Sequence, residues 1–228
     1  MVIGAGGGLG AALLGKLERD GAYAKVLGLG RRTATRLDYL DEASIAQAAR
    51  VVTDLCTQSE SDLRMLLVAT GFLHGDAGQP ERSWRHLDAG YLQHVFLVNA
   101  IGPALVLKHF FPLLPQQGRC IAGFISAKVG SIGDNALGGW YGYRASKAAL
   151  NQLVKTASIE LARRNRESIC VALHPGTVAT ALSEPFAKTG LRIRSPEVAA
   201  DEVIAVLAGL EPVHTGSLVD HQGNILLF

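Results

Sequence analysis

The sequence has few cysteines and no pattern that would bind a metal. Three cysteines occur among 228 residues. Cys56, Cys120 and Cys170 each have apolar neighbours, and no two of them form a Cys-x-x-Cys pair. This usage is typical of buried thiols in a reducing compartment, and it argues against a disulfide framework or a zinc site. We therefore expect a cytoplasmic protein without a metal centre.

Long apolar runs and runs of one charge are also missing. Charged residues make up 18% of the chain and the formal net charge is +2, so we expect no nucleic-acid partner. We find no uninterrupted apolar run of about 18 residues and no signal peptide, and therefore expect no membrane span. No repeat or linker divides the chain, and 48% of it is hydrophobic. These features predict one domain over residues 1–228.

Glycine is abundant, and it dominates the start of the chain. Val2-Ile3 is followed by the glycine-rich stretch 4–10 and then by apolar residues at helical spacing. Such a turn lets the backbone approach a pyrophosphate, and the helix N-terminus supplies N–H donors. A glycine turn without a ligand has the same pattern. The candidate cofactor-binding residues here are Gly4, Gly8, Leu9 and Gly10. The first strand is a stub, which is compatible with a truncated start.

Two arginines follow the second predicted strand, residues 24–29. In a dinucleotide fold the adenosine ribose lies beside the end of this strand. An acid there would bind the 2′-hydroxyl of NAD, whereas arginines suit the 2′-phosphate of NADP. Arg31 and Arg32 therefore favour NADP(H) over NAD(H). The alternative is that both are solvated surface residues.

Strands and helices alternate along the rest of the chain. Further strands are predicted at 36–40, 64–70, 118–126, 168–173 and 216–220. Helices are predicted at about 43–55, 87–114, 148–161 and 195–210. Too few residues separate the second and third strands for a crossover helix. The alternation otherwise predicts an α/β, doubly wound Rossmann fold with a seven-stranded, mainly parallel sheet and helices on both faces.

Tyr143 and Lys147 lie four residues apart at the start of a predicted helix. Residues at this spacing share a helix face, so the Lys charge can favour the phenolate and lower the pKa of the phenol. A Tyr assisted in this way is suited to proton transfer near neutral pH. Alone, the spacing is more often that of a solvated helix face.

Two polar residues lie where a ligand or a buried bond would need them. Asn99 interrupts the long apolar helix, where Asn is unfavourable, although a buried Asn bonded to backbone is the ordinary explanation. Ser126 lies at the carboxyl end of a strand, where ligands bind in open α/β sheets.

Five motifs in this order resemble those of the short-chain dehydrogenase/reductase family over essentially the whole chain. They are Gly4-x-x-x-Gly8-x-Gly10, Asn99, Ser126, Tyr143-x-x-x-Lys147 and Pro175-Gly176. The stretch 138–147, GGWYGYRASK, and the stretch 220–223, DHQG, look most like the branch that contains C-factor-like proteins and insect-type carbonyl reductases.

The resemblance implies an NADP(H)-dependent oxidoreductase that moves a hydride between the cofactor and a small carbonyl or alcohol substrate. It implies Tyr143 as general acid or base and Lys147 as the residue that lowers its pKa. It implies Ser126 as the hydrogen-bond partner of the substrate oxygen and Asn99 as the anchor of a water. It also implies a homodimer or homotetramer. The implied cofactor contacts beyond the first turn are Asp38, Gly71, Asn99, Tyr143, Lys147, Pro175, Gly176, Thr177 and Val178.

The chain departs from the family pattern in three places. Ile3 replaces the usual Thr, and residues 68–71, VATG, replace Asn-Asn-Ala-Gly. Where many members have two adjacent serines, this chain has Ser126 and Ala127. Counting from Gly118 selects Ser126 as the catalytic serine, whereas counting back from the Gly130–Ser131 pair selects Ala127 and leaves Ser131 to supply a hydroxyl.

Two other functions and the identity of the substrate stay open. The Ala127 departure favours a non-catalytic, nucleotide-binding signalling or sensor protein on the same fold. A Rossmann-type methyltransferase would leave Tyr143 and Lys147 without a role. The segments 73–82 and 181–194 and the region of Trp140 are expected to line the substrate pocket. Within them Trp140, Phe186 and Leu191 suggest an apolar or aromatic component.

Overall fold

The computed structural model describes residues 1–186 and 193–228 and is centred on a seven-stranded sheet. The order in the sheet is β2-β1-β3-β4-β5-β8-β9, and every neighbouring pair is parallel except β8 and β9. A second, two-stranded sheet pairs β6 with β7. The strands are β1 (Val2–Ile3), β2 (Gly28–Leu29), β3 (Met65–Val68), β4 (Cys120–Ile125), β5 (Ser168–His174), β6 (Thr177–Val178), β7 (Ile193–Arg194), β8 (Leu218–Asp220) and β9 (Ile225–Leu226).

Helices cover both faces of the large sheet, which confirms the predicted doubly wound α/β fold. They are α1 (Gly8–Asp20), α2 (Glu42–Gln58), α3 (Ala89–Phe96), α4 (Gly102–Phe110), α5 (Tyr141–Arg164) and α6 (Pro196–Gly209). Helices α1 and α6 share one apolar core with β5 residues such as Val171. Helices α2, α4 and α5 share the other core, with Ala172. Adjacent residues of a strand point to opposite faces, so an entirely apolar strand can supply both cores.

The predicted strand at 36–40 is wrong. This segment forms two isolated bridges, between Gly30 and Arg36 and between Asp38 and Asp41, and then enters α2. Asp41 caps that helix by accepting a hydrogen bond from the Ser44 N–H at 3.3 Å. A parallel strand beside β2 would need a crossover connection of about a dozen residues, and the connection between β2 and residue 36 is too short for one. The seventh strand is instead the antiparallel β9, which was not predicted.

Helices α3 and α4 are parts of one helical segment. A π turn at Leu97–Ile101 joins them, and Asn99 lies within it. The segment Ala89–Leu113 is 25 residues long and contains an 18-residue window with a mean hydropathy of 1.5, which is long and apolar enough to cross a membrane. The core helix of a soluble domain has the same length and composition, and here the segment packs against α2 and α5.

The predicted flap at 181–194 is described in part. Glu184–Phe186 form a 3₁₀ turn, and Ile193–Arg194 pair with Thr177–Val178. The rest of the flap, with the predicted pocket residue Leu191, lies outside the described residues.

Candidate active site

Tyr143 and Lys147 lie on the first two turns of α5, and both are buried, at 8% and 2% exposure. The Lys147 Nζ donates a hydrogen bond to the Ile125 carbonyl at 2.9 Å and lies 5.9 Å from the centroid of the Tyr143 ring. Burial raises the pKa of Tyr143 to about 12 and lowers the pKa of Lys147 to about 7. Both changes disfavour the charged form, because the protein has removed the water that would stabilise it. Within the protein alone, desolvation therefore outweighs the expected assistance of Tyr143 by Lys147.

Asn99 connects the loop after β3 to α5. Its Oδ1 accepts from the Phe72 N–H at 2.8 Å, and its Nδ2 donates to the Phe72 carbonyl at 2.9 Å and to the Ser146 Oγ at 3.0 Å. Ser146 in turn donates to the Tyr143 carbonyl at 2.9 Å. A Cβ at Gly71 would lie 3.8 Å from the Asn99 Oδ1 and 3.9 Å from the Lys147 Nζ. The structure thus brings Gly71, Asn99 and Lys147 together at the carboxyl edge of the sheet.

Ser126 is hydrogen-bonded to Asn151 of α5. Its buried Oγ donates to the Asn151 Oδ1, one turn further along α5 than Lys147, at 2.7 Å. The next residue, Ala127, packs against the apolar cluster that contains Tyr143. The backbone is extended here, with φ −151° at Ala127, so consecutive side chains point in opposite directions. The third candidate, Ser131, is buried and accepts from the Asp134 N–H at 3.2 Å.

The first glycine turn is compact and leaves a helix end open. A Cβ on Gly10 would lie 2.1 Å from the Gly4 carbonyl oxygen, and Gly4 itself has φ +87°. Within the described residues, no side chain caps the N-terminus of α1. The first N–H groups of a helix have no intrahelical acceptor, so Gly8, Leu9 and Gly10 present donors and partial positive charge. This geometry fits the pyrophosphate of a dinucleotide.

A model of the short chain dehydrogenase family matches residues 1–190. The chain belongs to the short-chain dehydrogenase family. Among curated relatives, C-signal of Myxococcus xanthus is 34% identical over 138 residues, covering 60% of this chain and 79% of that protein. The chain spans 60% of the length of 1-hydroxy-2-glutathionyl-2-methyl-3-butene dehydrogenase of Rhodococcus sp. and 56% of the length of an uncharacterized oxidoreductase of Schizosaccharomyces pombe.

Solved structures confirm the fold of this short-chain dehydrogenase. The carbonyl reductase Sniffer of D. melanogaster superposes with a TM-score of 0.81 at 20% identity, over 99% of this chain and 97% of that one. The NADPH-bound carbonyl reductase from chicken fatty liver superposes with a TM-score of 0.80 at 22% identity, over 100% and 97% of the two chains. The resemblance noted in the sequence is therefore confirmed.

The short-chain dehydrogenase exposes both arginines after β2. In residues 1–186 and 193–228, neither Arg31 nor Arg32 forms a hydrogen bond or an ion pair. Asp38 is engaged locally, because its carboxylate accepts from Arg36 at 2.8 Å and from the Leu40 N–H at 3.1 Å. The arginines are thus available to a phosphate, whereas Asp38 already has partners.

The loop after β5 lies close to the first glycine turn. Pro175 is buried, and Gly176 has φ +73°. A residue with a Cβ is disfavoured at this φ, and a Cβ on Gly176 would also lie 2.7 Å from the Arg194 Nη1. The two-residue strand of Thr177 and Val178 then leads towards Thr180, whose Cγ2 would be 2.9 Å from a Cβ on Gly8. This contact brings the two predicted cofactor loops together.

Sequence reasoning missed a buried acid at the start of α5. Glu81 is 2% exposed, and each of its carboxylate oxygens accepts from the Gly142 N–H at 3.1 Å. Its backbone carbonyl accepts from the Trp140 N–H at 2.6 Å. A carboxylate is favoured at a helix N-terminus by the partial positive charge there. Glu81 is 60 residues from this helix in sequence, so no local pattern signals its role.

Proposed function

We propose that this short-chain dehydrogenase is an NADP(H)-dependent oxidoreductase that transfers a hydride between the nicotinamide and a carbonyl or alcohol substrate. The observation that carries the proposal is the buried arrangement of Tyr143, Lys147 and Asn99 beside Gly71. A buried phenol and ammonium on one helix face have a cost in desolvation, and such perturbed groups are concentrated at functional sites.

The protein groups have distinct roles in this proposal. Tyr143 gives its hydroxyl proton to the substrate oxygen during reduction and takes it back during oxidation. Lys147, when charged, favours the phenolate of Tyr143 and binds the ribose hydroxyls of the cofactor. Asn99 fixes the loop at Gly71 and anchors a water of the proton relay. The nicotinamide supplies the hydride chemistry when bound.

Ser126 stays the proposed hydrogen-bond partner of the substrate oxygen on sequence grounds. To act in this way its hydroxyl must exchange its bond with Asn151 for one to the substrate. The next residue, Ala127, packs on the cluster that contains Tyr143 and carries no hydroxyl. Substitutions at these two positions, described in the Discussion, separate the alternatives.

The proposed cofactor site combines three loops. Gly4, Gly8, Leu9 and Gly10 would hold the pyrophosphate, and residues 175–178 would contact the nicotinamide. Arg31 and Arg32 would bind the 2′-phosphate, and Asp38 the adenine. The exposed arginines support NADP(H) over NAD(H), as does the NADPH bound to the similar carbonyl reductase from chicken.

A fluorescence titration with NADPH and NADH tests the cofactor preference. We expect NADPH to bind at least about tenfold more tightly, which corresponds to about 1.4 kcal/mol. The double substitution of Arg31 and Arg32 to Ala should remove the difference and leave NADH affinity unchanged. Equal affinity for both cofactors in the unmodified protein would mean that the arginines do not recognise the phosphate.

Turnover tests the catalytic part of the proposal. Tyr143→Phe removes one oxygen from a buried ring, so we expect NADPH binding to persist while reduction of every carbonyl in a panel is lost. Full activity in this variant would contradict the assigned proton transfer.

A non-catalytic nucleotide sensor is the second candidate. Two observations favour it: Ala127, which carries no hydroxyl, packs on the cluster that contains Tyr143, and the chain is similar to a protein named C-signal. This candidate predicts tight NADPH binding without turnover of any carbonyl or alcohol, so ordinary turnover with one substrate would exclude it.

We further propose that the chain forms a homodimer or homotetramer through α4 and α5, in the cytoplasm. A groove of about 450 Å³ runs between these helices, and its apolar lining includes Leu107, Phe111 and Leu153. Light scattering after gel filtration would give the mass of the assembly. Leu153→Arg should shift that mass to a single chain of 24.1 kDa.

A further inference from the structure

Trp140 adopts a backbone conformation that a bulky residue rarely occupies. Its φ is 52° and its ψ is 42°, in the left-handed region. Among the described residues, Glu60 is the one other non-glycine residue with positive φ. Side chains with a Cβ are sterically disfavoured there, and such conformations persist where the surrounding structure enforces them, most often at functional sites.

The contacts that enforce this conformation come from two directions. The Trp140 N–H donates to the Glu81 carbonyl at 2.6 Å, and the Trp140 carbonyl accepts from the Arg144 N–H at 2.8 Å. The Glu81 carboxylate holds the Gly142 N–H two residues later. A Cβ on Gly142 would lie 3.0 Å from side-chain atoms of Leu92 and Val95, so this part of the chain is packed tightly. The backbone that carries the indole is therefore held in one conformation.

The indole faces the catalytic phenol. The Trp140 and Tyr143 rings lie 6.1 Å apart at 81°, and the Trp140 and Phe186 rings lie 5.1 Å apart at 70°. His74 meets the other side of Phe186, at 5.3 Å, and its Nε2 is 2.8 Å from the Ala181 carbonyl oxygen. We call Trp140, Phe186 and His74 the aromatic wall. It lies on one side of Tyr143, and its rings are only partly buried.

Aliphatic side chains extend the apolar cluster that contains Tyr143. Ala127 and Leu182 pack on this cluster, and both contribute only aliphatic surface. Ala127 thus adds a methyl group, and no hydrogen-bond donor, to the cluster. A substrate carbonyl at Tyr143 would therefore be oriented chiefly by the packing of its substituents.

We propose that Trp140 determines substrate specificity by packing against a planar aryl group attached to the carbonyl carbon. This inference rests on the proposed reductase function and names its substrate class as aryl aldehydes and aryl ketones. Ring edges and faces attract one another in tilted and offset arrangements. An indole on a backbone fixed by Glu81 and Gly142 provides such a surface with less ordering on binding, which favours affinity.

Acetophenone and cyclohexyl methyl ketone are a suitable pair of probes, because they share the acetyl group and differ in ring planarity. We expect kcat/KM with saturating NADPH to favour acetophenone by roughly three- to tenfold in the unmodified protein. Trp140→Phe should keep the preference, whereas Trp140→Leu should bring the ratio near one, mainly through KM. The control is Trp84→Phe, since Trp84 is 67% exposed and outside the wall. A ratio that is unchanged in Trp140→Leu would overturn the proposal.

Binding without turnover separates this inference from the proposed function. Saturation-transfer NMR on the protein with NADP⁺ reports contact of each ketone directly, and NADPH binding shows that each variant is folded. Trp140-dependent contact of acetophenone without any reduction would refute the reductase function and retain the aryl site. Equal contact of both ketones, or contact of neither, would refute the aryl site whatever the turnover.

Discussion

Substitutions at Ser126 and Ala127 separate a structural serine from a catalytic one. In Ser126→Ala the buried hydroxyl bonded to the Asn151 Oδ1 is lost. Among the described residues, the Asn151 Nδ2 has no hydrogen-bond partner and the Asn151 Oδ1 accepts from Ser126, so the substitution would leave this buried side-chain amide without a hydrogen bond there. An unsatisfied buried polar group costs about 1–3 kcal/mol. We therefore expect Ser126→Ala to lower the free energy of unfolding by that amount. Because Ser126 is the proposed hydrogen-bond partner of the substrate oxygen, we also expect kcat to fall by about 100-fold.

Ala127→Ser is the matched reverse change. It adds a hydroxyl to a residue that packs on the cluster containing Tyr143. If the substrate oxygen lacks a second donor there, kcat/KM should rise, since one well-placed donor at a developing charge is worth up to about 100-fold or more. Denaturant unfolding gives the stabilities, and NADPH oxidation gives the rates. A change in kcat of less than about tenfold in Ser126→Ala, together with a gain in Ala127→Ser, would refute the proposed role and make Ser126 a structural residue.

Three further predictions concern buried charge, the first turn and the start of α5. Because the pKa of Lys147 is lowered from 10.5 to about 7, the unfolded chain binds the extra proton between these values, so stability falls as pH falls from about 10.5 to 7. Lys147→Met should lose activity and gain a few kcal/mol in the free energy of unfolding at pH 7. Denaturation at several pH values should show that the variant lacks the decrease in stability between pH 10.5 and 7. If the decrease is the same in the variant, Lys147 stays charged in the folded protein. Gly10→Ala should weaken NADPH binding at least about tenfold in a titration. The control Gly15→Ala, in the same helix, should raise the free energy of unfolding by up to about 1 kcal/mol. Equal NADPH affinities in the two variants would contradict the tight-turn explanation. Glu81→Gln should lower the free energy of unfolding by about 1 kcal/mol, measured by thermal unfolding, and should lower kcat. The control is Glu160→Gln, an exposed position within α5, and the idea fails if the two variants behave alike.

Patterns that repeat along the chain were predictable, and features that depend on distant contacts were not. The apolar runs of β3, β4 and β5 and the helical spacing after them are local signals, so these elements lie close to their predicted bounds. The segment 36–40 has the composition of a strand, but strand pairing depends on the length of the connection, and this one is too short. The strand β9 has two residues and is defined only by its pairing with β8.

The candidate site likewise combines residues that local patterns indicate with residues whose roles depend on distant contacts. Tyr143, Lys147 and Asn99 could be selected as candidates because their order along the chain resembles the motifs of the family. The direction of the Ser126 side chain could not be predicted, because a shift of one residue along an extended chain reverses the face. Glu81 and Trp140 act through a contact across 59 residues of sequence and an unusual backbone conformation, neither of which leaves a pattern.

The π turn at residues 97–101 has a consequence for how this molecule can vary. On one side of it, α3 packs Tyr91 and Val95 against the cluster that contains Tyr143. On the other side, α4 packs Val106 and Phe110 into the core beneath the sheet. A π turn contains one residue more than an α turn and changes the rotational phase of the helix. Each half of the helix can therefore pack against its own neighbours. Residues of α3 near Tyr143 can then vary in sequence while the core packing of α4 is preserved.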